Sequence, residues 1–316
     1  MKREDFFAIS PSELQPNWEL DFDIYLKRRD NYIKYLSKGD YITERIQNKL
    51  MDIVSQIYVP DYYEEGFGKY LHNNLGNILQ NQNVDIKERS KIFHKVASDA
   101  IGSVYENTQI GVSQEELENI RDIVDESVDF LEDEKALKGI SELFDFDYTT
   151  FAHCLHVFTY TLGLLSKLDI DRETLIKVGV GALLHDIGKK KIPSEILNKK
   201  GKLSNIEWLE IKNHPLYGVS ECKHIGITQE ATNCILFHHE KYDGSGYPMR
   251  ISGEDIPFYV RVLTICDVYD AITSNRPYAE AQDPFNALDT MCNMEGFFDQ
   301  DLLEKFIKML GNINEK

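Results

Sequence analysis

The strongest constraint on this chain is a set of widely spaced histidines and aspartates that any fold must bring to one place. His185-Asp186 closes the apolar stretch Val178 to Leu184, His214 follows Ile211, and His238-His239 follows Cys234 and Ile235. Asp267 lies between Leu263 and Ala271, and His153 sits on an earlier apolar segment. Each segment has the i, i+3, i+4 spacing of a helix. A lone His-Asp pair is weak evidence of anything, but the conjunction on successive helices is not. Buried ionisable groups cost free energy unless paired or bound to metal. Helix bundles build metal centres from inward side chains on facing helices. Imidazole with carboxylate suits iron, manganese, nickel, cobalt or zinc.

Taken in order, the pattern changes twice along the chain. Residues 1–60 read as a small α+β module: strands over Asp21–Leu26, Tyr32–Leu36 and Ile57–Pro60, and a helix capped by Thr43. Residues 61–145 read as helices, one opened by the capping box Ser113 to Glu116. These helices connect or regulate, and can pair two copies of the chain as a homodimer, while packing within one chain explains them as well. From residue 146 to 316 the pattern is uninterrupted helix–turn–helix, with Asp171 and Ser204 as caps and no strand signal after residue 150. The fold class expected is mainly α, an all-helical C-terminal bundle with a smaller α+β module ahead of it.

Charge and cysteine usage narrow the function classes. A formal net charge of −18 argues against a nucleic-acid polymer or an anionic membrane as partner, both of which need basic patches. It leaves room for a small phosphate-bearing ligand, because metal ions can make one cleft locally positive. No apolar run approaches the ~20 residues of a membrane span, and the start Met1-Lys2-Arg3-Glu4-Asp5 lacks the apolar core of a signal peptide. The five cysteines are scattered, with no CxxC pair, which excludes a thiolate zinc motif and fits a reducing cytoplasm.

The chemistry suggested is phosphoryl transfer. Two metal ions need a bridging carboxylate, and Asp186, beside His185, is the natural one. A pair of ions generates hydroxide at neutral pH and clamps a phosphoryl oxygen during in-line displacement. Lys189 can neutralise a phosphate or protonate a leaving alkoxide. Asp270, on the same face as Asp267, can orient the bridging hydroxide or a histidine N–H. Gly244 and Gly246 in the loop Asp243 to Pro248 allow close approach of a ligand, and Tyr247 offers a ring and a hydroxyl. Arg276 offers a bidentate fork for phosphate. Cys154 and Cys234 read as small core residues, His156 as core or as a support to the ligands, and His224, His72 and His94 as ordinary histidines.

The span 148–310 resembles the HD-GYP subgroup of HD-domain phosphohydrolases. The resemblance is carried by His185-Asp186-Ile187-Gly188-Lys189, Ile192-Pro193, Ile196-Leu197-Asn198-Lys199, His214-Pro215 and His238-His239-Glu240. It continues through Asp243-Gly244-Ser245-Gly246-Tyr247-Pro248, Asp267-Val268-Tyr269-Asp270 and Ser274-Asn275-Arg276-Pro277-Tyr278. It implies an HD-type helical fold and a bi- or trinuclear centre, commonly iron, although manganese would satisfy the same donors. It implies hydrolysis of cyclic di-GMP to linear pGpG or on to GMP. The ligands it implies are His153, His185, Asp186, His214, His238, His239 and Asp267, with Lys189, Tyr247 and Arg276 on the substrate. Members with a third ion usually have glutamate one turn before the first histidine. Thr149 stands there, so a binuclear centre is expected. Ala279 and Glu280 replace a basic residue after Arg276-Pro277-Tyr278, which keeps open a dinucleotide sensor with little turnover. A hydrolase for another cyclic dinucleotide is the third reading.

Overall fold

The computed structural model describes residues 5–107, 111–144, 149–275 and 280–314. The chain falls into two compact units, Met1–Val96 and Ala97–Lys316.

The first unit is built on one antiparallel sheet of order β1-β4-β2-β3, from β1 (Phe6–Ile9), β2 (Ile24–Arg28), β3 (Asn31–Leu36) and β4 (Ile57–Pro60). Helix α1 (Glu44–Ile53), capped by Thr43 as the sequence predicts, precedes β4, and α2 (Glu64–Gln80) follows it. Phe22, Phe67 and Tyr70 meet edge to face or stacked in the core. Two details depart from the pattern in the sequence. The strand expected from Asp21 starts at Ile24, because the Asp23 carboxylate instead accepts from the Lys38 N–H at 2.9 Å and the Lys34 ammonium at 2.6 Å. Strand β1 was not expected: Phe6-Phe7-Ala8-Ile9 has no alternation, and pairing with β4, about fifty residues on, makes it a strand.

Helix α3 (Ile86–Glu106) leads into the second unit, which carries no strand among its described residues. Its helices are α4 (Gln114–Leu131), α5 (Glu134–Ser141), α6 (Thr150–Leu165), α7 (Arg172–Leu184), α8 (Ser194–Leu197), α9 (Asn205–Lys212), α10 (His214–Cys222), α11 (Gln229–Phe237), α12 (Phe258–Thr273), α13 (Pro284–Cys292) and α14 (Gln300–Asn314). Side-chain caps start many of them where the sequence places polar residues. Ser113 and Ser204 form capping boxes with Glu116 and Glu207, and Thr149, Asp171 and Thr228 cap α6, α7 and α11.

Helix α7 packs against α6, α4 and α11 and is buried continuously from Val178 to Leu184. It ends at His185 because Asp186 leaves helical geometry, and a 3-10 turn, Ile187–Lys191, takes over. That turn presses on the start of α10. A Cβ on Gly188 would lie 1.9 Å from the His214 carbonyl oxygen and 2.4 Å from the Gly218 nitrogen, so only glycine permits the approach. The ends of α7 and α11, the starts of α10 and α6 and the second half of α12 share one interior region. No helix among the described residues is long and apolar enough to cross a membrane.

Candidate metal centre

The predicted ligands come together in the second unit as two adjacent donor sets. Asp186, His214, His238 and His239 offer atoms all within 4.8 Å of one another, and so do His153, His185 and Asp267. Asp186 stands between the sets. Its Oδ1 is 3.3 Å from His214 Nε2 and 3.7 Å from His238 Nε2. Its Oδ2 is 3.6 Å from both His153 Nε2 and His185 Nε2. Asp267 spans the sets too, with Oδ1 3.0 Å from His153 Nε2 and Oδ2 3.7 Å from His239 Nδ1.

Backbone geometry decides which ring nitrogens face inward. Nδ1 of His185 donates to the Ala182 carbonyl at 2.8 Å, that of His214 to Ile211 at 2.7 Å, and that of His238 to Ile235 at 2.9 Å. These carbonyls belong to the last turns of α7, α9 and α11, where helix ends leave acceptors unused. With Nδ1 protonated, each Nε2 presents a lone pair to the centre. His153 gets the same treatment from Asp270, which accepts from His153 Nδ1 at 2.6 Å and from His156 Nδ1 at 2.8 Å. Asp270 thus accepts from two histidine N–H groups at once.

The donor set fits metal on its own chemistry. The Nε2 atoms of His214 and His238 approach to 3.0 Å. Two imidazole lone pairs aimed at one point repel unless a cation sits there. His185 Nε2 and Asp186 Oδ1 are fully buried without a hydrogen bond, and buried polar groups are rarely left so. Burial holds the His185 and His238 imidazoles below their ordinary pKa and takes His239 down to about 3, so all three are neutral imidazoles, the form a metal ion requires. Burial pushes the Asp186 carboxyl up, but Lys189, His185 and His214 more than offset it and hold it well below the usual carboxylate range. The same contest leaves Asp267 ionised, with burial opposed by His153, His239 and His185.

The other predicted residues divide. Lys189, in the 3-10 turn, pairs its ammonium with Asp186 Oδ2. The Tyr247 ring packs at a 35° tilt against His239 with centroids 4.8 Å apart, at the open side of the cluster where His239 keeps 27% exposure. The two glycines serve the loop itself. A Cβ on Gly246 would lie 2.5 Å from the Glu240 Cα and the Lys241 nitrogen, and Gly244 has φ of +78°. The close approach that Gly246 permits is made by the chain's own backbone, so the loop explains both glycines before any ligand is considered. Arg276 lies outside the described residues. Sequence reasoning missed Glu240. It is buried, and its Oε1 accepts from the Met249 and Arg250 N–H groups at 2.6 and 2.9 Å, fixing the loop that carries Tyr247. Its position directly after His238-His239 was the available signal. Cys154 also lies within ligand distance of His185 and Asp186, with Tyr105 Oη 3.1 Å from its sulfur.

Three comparisons with known proteins bear on this site. Residues 120–302 match the family model described as HD domain. A cyclic di-GMP phosphodiesterase of Pseudomonas aeruginosa, PA4108, is 33% identical over 219 residues, covering 68% of this chain and 52% of that protein. The 3'3'-cGAMP-specific phosphodiesterase 3 of Vibrio cholerae is 34% identical over 142 residues, covering 45% of this chain and 31% of that protein. The chain therefore spans about half the length of the first relative and less of the second. Among solved structures, Bd1817, an HDG"Y"P protein from Bdellovibrio bacteriovorus, superposes with a TM-score of 0.66 at 23% identity, covering 97% of this chain and all of that one, a likeness of fold.

Proposed function

This chain belongs to the HD-domain family, and we propose that it is a metal-dependent phosphodiesterase that opens cyclic di-GMP to linear pGpG. The observation that carries the reading is the pair of donor sets with Asp186 between them. The relatives named for cyclic di-GMP and for cGAMP support a cyclic dinucleotide as substrate class.

In this reading His153, His185 and Asp267 would hold one ion and His214, His238 and His239 a second, with Asp186 within reach of both sets. Ions bound there would supply Lewis acidity toward a phosphoryl oxygen and lower the pKa of water toward neutrality. Asp270 keeps the His153 lone pair aimed inward. Lys189, restrained by Asp186, meets the substrate phosphate and protonates the departing ribose oxygen. Tyr247, packed on His239, walls the open side. Iron, or manganese in its place, suits the nitrogen and oxygen donors. Thr149, whose hydroxyl caps α6, is not a carboxylate, and this supports two ions and a product left at pGpG. The helical region 61–145 is proposed as a connecting or regulatory part and as the pairing surface of a homodimer.

The test is elemental analysis of protein purified without oxygen, followed by product analysis after incubation with cyclic di-GMP, with Asp186→Ala alongside. About two ions per chain and pGpG as product are expected. Two ions with tight binding and no turnover would replace the hydrolase with a dinucleotide sensor. Preferential turnover of 3'3'-cGAMP would move the substrate within its class.

A further inference from the structure

Beside the metal donors lies a cation held by rings. Lys212, the last residue of α9, places its ammonium 5.2 Å from the Tyr247 ring centroid and 5.6 Å from that of Trp208. Trp208 is one helical turn earlier, so the two share a face of α9. Tyr247 in turn packs at a tilt against His239, so a continuous series runs from a candidate metal donor outward: His239, Tyr247, Lys212, Trp208. Among the described residues Lys212 forms no ion pair, in a chain of net charge −18 where carboxylates are plentiful. The way it is held matters. A carboxylate partner would cancel its charge, whereas a ring face restrains the ammonium through the quadrupole and leaves the positive charge for an anion. Trp208 is 46% exposed, an uncommon state for a large indole.

We propose that Lys212 and Trp208 form a subsite for the part of a cyclic dinucleotide that the metal donors do not touch. Lys212 receives the phosphate that is not cleaved, and Trp208 stacks on the neighbouring base. A cyclic dinucleotide carries two phosphates and two bases, and a binuclear centre engages one phosphate. The second phosphate requires a cation outside the donor sets, and an unpaired ammonium beside Tyr247 meets that need. Every base offers a π-face, so an exposed indole binds it with little regard to sequence. The subsite would therefore serve cyclic dinucleotides as a class more than one member of it. This inference rests on the substrate reading above.

The experiment compares two substrates on the metal-loaded full chain: the better of cyclic di-GMP and 3'3'-cGAMP, and bis(p-nitrophenyl) phosphate, which has one phosphate and no nucleobase. The readout is the ratio of their kcat/KM values, in which any loss of fold or metal cancels. For Lys212→Met and Trp208→Leu the ratio should fall by roughly tenfold or more, mostly through KM for the dinucleotide. Lys212→Arg, which keeps the charge, should recover most of it. An unchanged ratio in both K212M and W208L, with wild type turning over the dinucleotide, overturns this inference alone. A wild type that cleaves no cyclic dinucleotide overturns the substrate reading, and the subsite with it.

Discussion

Asp270 accepts a 2.6 Å hydrogen bond from His153 Nδ1, on the side of the ring away from Asp186 and Asp267, which face Nε2. The carboxylate therefore sets which nitrogen of His153 carries the proton. Burial pushes the Asp270 carboxyl up, but its hydrogen bonds from His153 and His156 outweigh this and keep it ionised. Carboxylates that support a metal-ligating histidine typically contribute 10–100-fold to metal affinity. Asp270→Ala should weaken metal binding by about that factor, read by competition with a chromophoric chelator. Affinity equal to wild type would show that His153 needs no such support.

Asp186 and His153 should differ in how many ions their loss removes. Asp186 lies within 3.7 Å of imidazole nitrogens from both donor sets, whereas His153 belongs to one. Asp186→Asn is expected to strip both ions and reduce turnover to background, and His153→Ala to leave about one ion per chain. Equal metal content in the two variants would argue against a shared carboxylate.

The neutral histidines predict how the metal-free protein responds to acid. His185, His238 and His239 titrate below the ordinary 6.5 when folded, with His239 at about 3. Below about pH 6.5 the unfolded chain takes up protons that the folded one refuses. Unfolding is thus favoured as pH falls, and this contribution to stability is complete above that value. Each histidine adds up to about 1.4 kcal/mol per pH unit to the slope. Denaturation midpoints of chelator-treated protein should drop between pH 7 and pH 5. A flat profile would mean that the imidazoles are charged in the fold.

Gly188→Ala should damage both stability and metal binding. The new Cβ would meet the His214 carbonyl and the Gly218 nitrogen, which are backbone and cannot rotate away. Overpacking of this kind costs about 1–3 kcal/mol, or roughly 2–4 °C of Tm per kcal/mol for a unit of this size. Because the clash separates His214 from Asp186, metal content should fall as well. An unchanged Tm with full metal would show that the 3-10 turn can shift freely.

Most of the second unit was legible from the sequence because its signals are local. Ser113, Asp171 and Ser204 cap the helices they were expected to open, the apolar stretch Val178 to Leu184 lies in α7, and the apolar segment with His153 is α6. The first unit was less legible: β1 exists through a partner about fifty residues away, and Asp23 ends up closing a turn. At the site, the identities of the clustered histidines and aspartates could be read, but their uses could not. Gly246 looked like room for a ligand and is room for residues 239–241. Glu240 was legible only as part of a motif, and it fixes the loop of Tyr247.

The sequence by itself determined that several helices end in, or carry, histidine and aspartate, and that they need a common polar interior. Periodicity, capping and the free-energy cost of burying such groups alone are properties of the chain over a few turns. Only the tertiary structure decided that six donors divide into two sets about Asp186, and that carbonyls of Ala182, Ile211 and Ile235 turn the Nε2 atoms of His185, His214 and His238 inward. It alone placed Lys212 over Tyr247 and Trp208. Ring orientation and contacts across helices depend on distances of a few tenths of an ångström between elements far apart in sequence. No local pattern encodes those distances, since they are set by how the helices pack.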